Sequence, residues 1–255
     1  MKLLSTFFLF LAFALTNVCA QSSKIIAHRG AWKHTSVPQN SIAALQEAVK
    51  QKVWGSEFDV HMTKDEVLVV NHDNDFYGMD IATSTYAELL TKKHPNGESI
   101  PTAEEYLKEG LKQKETKLIY ELKSNRLGVD KTIRSAELSL ALIQKLKANK
   151  MVEVIAFSWD ACLKFRSLNK KLKIHYLNGD KDPTTLKAAN LSGFDYNTAT
   201  LKKTPSWVSD AHKLGLKTNV WTVNTNEDMN YFITLGLDYI TTDEPELLER
   251  TLSKK

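Results

Sequence analysis

Short runs rich in β-branched and aliphatic residues recur along the chain, at 24–27, 55–60, 117–122, 154–157, 174–177, 193–196, 218–221 and 239–241. Between them, apolar residues fall at three- and four-residue steps. In 41–52 they are Ile42, Leu45, Ala48 and Val49; in 129–148 they are Ile133, Ala136, Leu140 and Ile143. Helical patterns continue in 158–168, 205–214, 227–235 and 245–252. β-rich runs alternating with a spacing near 3.6 mark strands alternating with amphipathic helices. Eight such units at this length predict an α/β fold, a closed parallel barrel ringed by helices. An open doubly wound sheet is the alternative. No Gly-x-Gly-x-x-Gly follows the first strand, which argues against its dinucleotide-binding form.

One run breaks the alternation. Residues 67–71 read as a strand with no helix between them and 55–60, so the chain is expected to rise above the barrel rim as a hairpin and return. With Lys64 and Asp65 as turn residues, Glu57 faces His72; with Asp65 and Glu66, Asp59 faces it. Directly opposed Cβ atoms lie roughly 5 Å apart, so either register brings a carboxylate to a histidine.

The first 20 residues stand apart. Lys2 precedes an uncharged apolar run over 3–15, and Val18-Cys19-Ala20 has the pattern of a cleavage site, so 1–20 reads as a secretory signal peptide cut after Ala20. The run is short for a bilayer span of about 20 residues, which argues against an uncleaved anchor. Lipidation at Cys19 is a further alternative; a lipobox asks for Gly, Ala or Ser where Val18 stands. The mature chain, 21–255, is then expected to be secreted or periplasmic with no stable membrane insertion. Its remaining cysteine, Cys162, cannot close an internal disulfide and reads as a packed structural thiol. The full chain carries 34 Lys+Arg against 30 Asp+Glu, a formal charge of +4. So small and scattered an excess predicts no nucleic-acid partner. With 42% hydrophobic and 25% charged residues, a disordered chain is excluded.

In a parallel barrel the chemistry sits at the C-terminal strand ends, and polar residues gather there. Glu57 and Asp59 share one face of a strand, as do Glu121 and Lys123. Carboxylates within strand runs are costly unless paired or bound to a cation. The trio Glu57, Asp59 and Glu121 therefore asks for one hard divalent cation, Mg2+ or Ca2+; ion pairing with Arg29 or Lys123 is the plainer alternative. Trp221 reads as a pocket wall or a core aromatic. Asp243 is expected to support the rim or cap the helix at Pro245. His34, His61, His94, His175 and His212 read as surface or structural, and the lysine-rich 108–117 as a solvated face.

The motifs run in a particular order. They are Ala27-His28-Arg29-Gly30, Pro38-Gln39-Asn40-Ser41, Glu57-Phe58-Asp59-Val60, Thr63-Lys64-Asp65 and Val70-Asn71-His72-Asp73. They continue through Ile100-Pro101-Thr102, Glu121-Leu122-Lys123, Trp221-Thr222-Val223-Asn224 and Thr241-Thr242-Asp243-Glu244-Pro245. In this order and spacing they resemble the glycerophosphodiester phosphodiesterase family, secreted bacterial type, over nearly all of the mature chain. The resemblance implies a TIM (β/α)8 barrel with a small capping insertion, about 74–114, after the second-strand hairpin. It implies catalytic histidines at His28 and His72, the first as acid and the second as base. It further implies metal ligands at Glu57, Asp59 and Glu121, and substrate or phosphate contacts from Arg29, Lys123 and Trp221. The implied reaction is metal-dependent hydrolysis of a glycerophosphodiester to an alcohol and glycerol 3-phosphate; the expected course is attack by the adjacent glycerol hydroxyl, giving a cyclic phosphate that water then opens.

Two departures stand out. Gln39 replaces the glutamate that the family carries in this motif, and 74–79 lacks the Leu-x-Arg-Thr-Thr-like segment of many members. Two rival functions are phospholipase D-like action on lysophospholipids or sphingolipids, and non-catalytic phosphate or sugar binding. The first needs an apolar entrance, which Phe76, Tyr77 and Met79 would either form or spend on packing the cap.

Overall fold

The computed structural model describes residues 23–254. The signal-peptide and Cys19 readings fall outside the described residues. Eleven strands occur among these: β1 (Lys24–Ala27), β2 (Gly55–Met62), β3 (Leu68–Val70), β4 (Asp75–Phe76), β5 (Met79–Asp80), β6 (Lys117–Leu122), β7 (Val152–Ala156), β8 (Ile174–Tyr176), β9 (Gly193–Asn197), β10 (Lys217–Trp221) and β11 (Tyr239–Thr242). Eight of them close a parallel barrel in the order β1-β11-β10-β9-β8-β7-β6-β2, with β2 pairing back onto β1. This is the TIM barrel, and its eight strands overlap the eight expected runs.

Strand parity decides which residues see the barrel interior. On β2, Phe58, Val60 and Met62 join the large apolar core that also takes in the helices; on β6, Leu118, Tyr120 and Leu122 do so. The alternate positions point inward. There Ile26, Ile119, Ile155, Leu177 and Tyr239 form a small apolar plug. Above and around it the interior positions are polar and buried: Glu57, Asp59, Glu121, Glu153, His175, Asp195 and Asn219.

Helices α1 (Ile42–Lys50), α2 (Tyr86–Leu89), α3 (Ala103–Gly110), α4 (Val129–Lys145), α5 (Trp159–Leu168), α6 (Pro183–Ala188), α7 (Thr198–Lys203), α8 (Ser206–Lys213), α9 (Asn226–Leu235) and α10 (Pro245–Leu252) fill the connections. Six match expected helices. Of the missed ones, α2, α6 and α7 are four to six residues long, too short for a periodic signal. Their caps were nevertheless readable: Thr85, Asp182 and Asn197 each accept a backbone N–H three residues on. Helix α3 begins with a full capping box, Thr102 with Glu105. It buries Tyr106 and Leu107 while Lys108 stays exposed and pairs with Glu104.

The hairpin exists, but in neither expected register. Val60 faces Val70, His61 faces Val69 and Met62 faces Leu68. The turn holds three residues, not two, and its last, Glu66, has φ 61°. A three-residue turn ending in a left-handed residue adds one position to a two-residue loop. Paired numbers therefore fall between the two expected alignments, and Asn71 N–H, not His72, bonds the Asp59 carbonyl at 3.0 Å. Beyond β3 the chain leaves the barrel through β4 and β5, with a satellite core of Val69, Phe76, Ile81, Leu89 and Ile100.

Deep in the barrel, Glu153 Oε2 lies 3.1 Å from His175 Nε2 and Glu153 Oε1 accepts from Lys173 Nζ at 2.7 Å. Burial pushes the Glu153 carboxyl up, but His175 and Lys173 outweigh it and hold the group at about 2, against an ordinary 4.5. A carboxyl depressed on folding stabilises fully above its unfolded pKa and loses that contribution as pH falls toward its folded one. Glu153→Gln is therefore expected to cost about 3 kcal/mol at pH 7. In urea titrations this deficit should shrink between about pH 5 and 2. A deficit independent of pH would show that packing, not charge, sets it.

Cys162 is buried, and burial pushes its thiol up to about 12, as a packed structural thiol requires.

Candidate active site

The carboxylate trio follows from register. Glu57 and Asp59 are two apart on β2, and Asp59 lies directly across from Glu121 on β6. Each of the three offers an oxygen within 4.8 Å of the others, and all three residues are buried. Glu57 Oε2 accepts from the Arg29 backbone N–H at 2.8 Å, while Oε1 is buried with no hydrogen-bond partner. Asp59 Oδ2 accepts from Asn40 Nδ2 at 2.8 Å, and Asn40 Oδ1 accepts the Asp59 N–H at 3.0 Å. Asn40 belongs to the Pro38-Gln39-Asn40-Ser41 motif, whose sequence alone assigns it no role. Its φ of 57° turns the chain so that the side chain clamps Asp59 from both sides.

The charges are unevenly compensated. Burial, then Asp59 and Glu121, push the Glu57 carboxyl well above the usual range. Glu121 is likewise raised, to about 7, by burial first and by Asp59 next. Asp59 lies below its ordinary value: burial raises it, but Lys123 and His72 more than offset this. Lys123 Nζ sits 2.8 Å from Glu121 and 3.2 Å from Asp59, and these carboxylates raise its pKa despite burial. Two cations, Lys123 and Arg29, face three buried carboxylates, which leaves one negative charge uncompensated. The orphaned Glu57 oxygen and the all-oxygen donor set fit a hard divalent cation.

Both sequence-predicted histidines line the same cavity, of ≈ 110 Å³, together with Arg29, Glu57, Glu121, Lys123 and Trp221. Asp59 lies beneath it, 3.7 Å from Arg29 Nε. Each histidine is backed by a carboxylate at Nδ1, which leaves Nε2 as the nitrogen free for chemistry. His28 Nδ1 lies 2.7 Å from Asp243 Oδ1. Asp243 in turn accepts from Asn224 Nδ2 at 2.7 Å and donates its own N–H to Asn224 Oδ1 at 2.9 Å. Burial raises the Asp243 carboxyl, but the hydrogen bond and charge of His28 outweigh it and hold it low. Asp243 thus supports the rim; α10 has no side-chain cap. His72 Nδ1 lies 2.7 Å from Asp73 Oδ1, whose side chain is 70% exposed. Burial lowers the His72 pKa against the opposing pull of Asp59.

Trp221 donates Nε1–H to the Asp195 carbonyl at 3.0 Å and meets Phe157 edge-on, so it is a wall held by the barrel. Arg29 Nη1 donates to Gln39 Oε1 at 2.9 Å. With glutamine there, the guanidinium keeps its positive charge uncancelled from that side.

Two site neighbours escaped the sequence reading. Asp195 lines the cavity on β9 with Oδ1 unpartnered, and burial and then Glu121 raise its carboxyl well above the usual range. Its inward parity on the strand 193–196 was the available signal. His61, read as surface or structural, is buried, and its Nε2 sits 3.1 Å from the His72 carbonyl, where it steadies the segment that carries His72. His94 and His175 are buried as well, while His34 and His212 are exposed.

A family model described as the glycerophosphoryl diester phosphodiesterase family matches residues 28–247. A glycerophosphodiester phosphodiesterase of Caldanaerobacter subterraneus is 30% identical over 252 residues, covering 90% of this chain and 98% of that protein. Among solved structures, a glycerophosphodiester phosphodiesterase from Parabacteroides distasonis has 43% identity and TM-score 0.89, covering 92% of this chain and 98% of that one. An Oleispira antarctica phosphodiesterase, solved with the product sn-glycerol-3-phosphate, shares the fold at 21% identity and TM-score 0.78, covering 91% and 97%.

Proposed function

The chain belongs to the glycerophosphoryl diester phosphodiesterase family and is a glycerophosphodiester phosphodiesterase, and from that premise we propose a metal-dependent mechanism with two histidines and a cyclic phosphate. The carrying observation is the buried trio of Glu57, Asp59 and Glu121, with an orphaned oxygen, beside two carboxylate-backed histidines in one cavity. Glu57, Asp59 and Glu121 would hold one divalent cation, Mg2+ or Ca2+, which when bound supplies Lewis-acid polarisation of the phosphoryl oxygen and the substrate hydroxyl.

Arg29 and Lys123 receive the phosphodiester's non-bridging oxygens, the first as a fork and the second as a point charge. His72 is the base. Burial keeps its imidazole neutral near pH 7, and Asp73 orients it without the firm anchoring that would favour the cation. Its Nε2 takes the proton of the glycerol hydroxyl next to the phosphoester, and that oxygen attacks phosphorus. His28 is the acid: its Nδ1 is fixed by a partly buried Asp243 that Asn224 grips, which leaves Nε2 for the departing oxygen. As the bond to the headgroup oxygen breaks, His28 protonates that oxygen and the alcohol departs. Water then opens the cyclic phosphate with the two roles reversed, giving glycerol 3-phosphate.

The phospholipase D-like reading draws less support. Phe76 is fully buried and Met79 packs with it inside the cap, which leaves Tyr77 as the exposed apolar group of that trio. Coupled assays of purified protein should show glycerol 3-phosphate released from glycerophosphocholine at least ~100-fold faster than choline from lysophosphatidylcholine. The opposite order would move the chain to the rival chemistry. We also propose a secreted or periplasmic location. The pattern of 1–20 supports it.

A further inference from the structure

The catalytic cavity opens at the C-terminal strand ends, and the opposite end of the barrel presents a different surface. The loops that enter β2, β6, β7 and β8, at 51–54, 111–116, 146–151 and 169–173, hold eight lysines and one acidic residue, Glu115. These four strands are neighbours in the barrel, so their loops form one sector. Hydrogen bonds stitch the sector together. Thr116 Oγ1 donates to the Val53 carbonyl at 2.8 Å, Lys117 Nζ to the Lys150 carbonyl at 2.8 Å, and Asn169 Nδ2 to Asn149 Oδ1 at 3.1 Å. Lys112 and Lys173 are paired, with Glu109 and Glu153. The other six, Lys52, Lys114, Lys147, Lys150, Lys170 and Lys171, are exposed and have no ion-pair partner among the described residues. One cation at a helix C-terminus answers the dipole, but the loops after α3, α4 and α5 carry two or three each. The fold thus gathers on one face a cationic excess that is scattered along the sequence.

We propose that this face docks on an anionic lipid bilayer and holds the enzyme at a membrane surface with its active site turned to the water. Three observations favour lipid as the occupant. The chain enters the barrel here: Ser23 Oγ donates to the Leu237 carbonyl at 2.7 Å, and Ser23 lines one groove with Lys52. The segment 1–22, with its uncharged apolar run over 3–15, therefore joins the body beside these lysines. Next, the charge is spread out and made of lysine alone. The four loops contain no arginine, whose fork reads single phosphates, whereas the diffuse field of anionic headgroups attracts any lysine near the surface. Finally, Trp54, the aromatic residue of these loops, is engaged in stacking on Tyr239 at 4.3 Å beneath Lys24. That leaves no platform on which nucleic-acid bases could stack. The inference goes beyond the hydrolase reading and does not depend on it, since no lysine of this face lines the catalytic cavity.

Cosedimentation with vesicles tests the docking, using the chain as an exporting host processes it. Phosphatidylcholine vesicles with about 30% phosphatidylglycerol should bind it ~10-fold or more tightly than pure phosphatidylcholine at about 50 mM salt, and about 0.5 M salt should release it. Lys114→Gln, Lys150→Gln and Lys171→Gln together should lower the partition constant on anionic vesicles by ~10-fold, with turnover of glycerophosphocholine in solution unchanged. Lys64→Gln, Lys92→Gln and Lys131→Gln together remove the same charge from the hairpin, the cap and the start of α4, and should leave binding within about twofold. Equal binding to both kinds of vesicle would overturn the proposal in favour of an apolar anchor. So would an equal loss in the two triple variants, or binding of a DNA duplex as tight as that of the anionic vesicles at the same salt.

Discussion

Alanine at His28 or at His72 is expected to lower kcat/KM for glycerophosphocholine by about 100- to 10,000-fold in each case, with the fold and bound metal retained. Both side chains stand at the rim, 17% and 33% exposed, and neither belongs to an apolar core. Under the proposed mechanism, removing either deletes a proton-transfer partner without opening a core cavity. The two should differ in their dependence on the leaving group. A diester with an activated leaving group, such as a p-nitrophenyl ester, needs little protonation from an acid. It should rescue His28→Ala substantially and His72→Ala hardly at all. Asp243→Asn should cost about 10- to 100-fold, since Asn224 still grips the side chain while the carboxylate that holds His28 Nδ1 is gone. Near wild-type turnover by both alanine variants would remove the two-histidine scheme, and rescue in the reverse order would exchange the two roles.

Chelation should abolish turnover and restored Mg2+ or Ca2+ should return it, and Glu57→Gln should be inactive with or without added ion, by at least ~1,000-fold. A second readout separates ligand loss from misfolding. Burial and its neighbours make an ionised Glu57 unfavourable in the folded chain, so the metal-free state carries a destabilising group. With the folded pKa raised, that cost is present above the ordinary pKa and grows as pH rises. Glu57→Gln removes it, and the Gln oxygen still accepts the Arg29 N–H, so the variant without metal should melt no lower than the wild type. Metal at about 100 times its Kd should then raise the wild-type Tm by about 5–10 °C and leave the Glu57→Gln Tm nearly unmoved. Full activity after exhaustive chelation, or equal thermal shifts in both proteins, would exclude the metal role.

Much of this architecture was legible along the chain, for reasons that particular residues make plain. The eight strands carry short β-rich runs, and the longer helices bury a stripe at 3.6 spacing, so their periodicity survives without tertiary information. The trio was legible because its members obey strand parity: Glu57 and Asp59 are two apart, and Glu121 repeats the pattern on β6. Asp195 obeys the same parity and was overlooked because a single Asp within Gly193–Asn197 has no partner in sequence. The hairpin register was missed because it turns on one backbone angle, the left-handed Glu66, which costs little and leaves no compositional mark.

What the sequence by itself determined is which residue types reach which strand ends: two histidines, three carboxylates, an arginine and a lysine at one rim. Their order and spacing also carried the family, because each motif is local. Only the tertiary structure decided how those groups are backed and set apart. Asp243 reaches His28 across 215 positions, and Asn40 reaches Asp59 from a loop. An acidic aromatic groove forms between the β1–α1 loop and the segment after β3. Such contacts depend on closing the barrel, which brings distant strand ends within hydrogen-bonding range. No local pattern encodes that distance, since it is set by the shear and twist of all eight strands together.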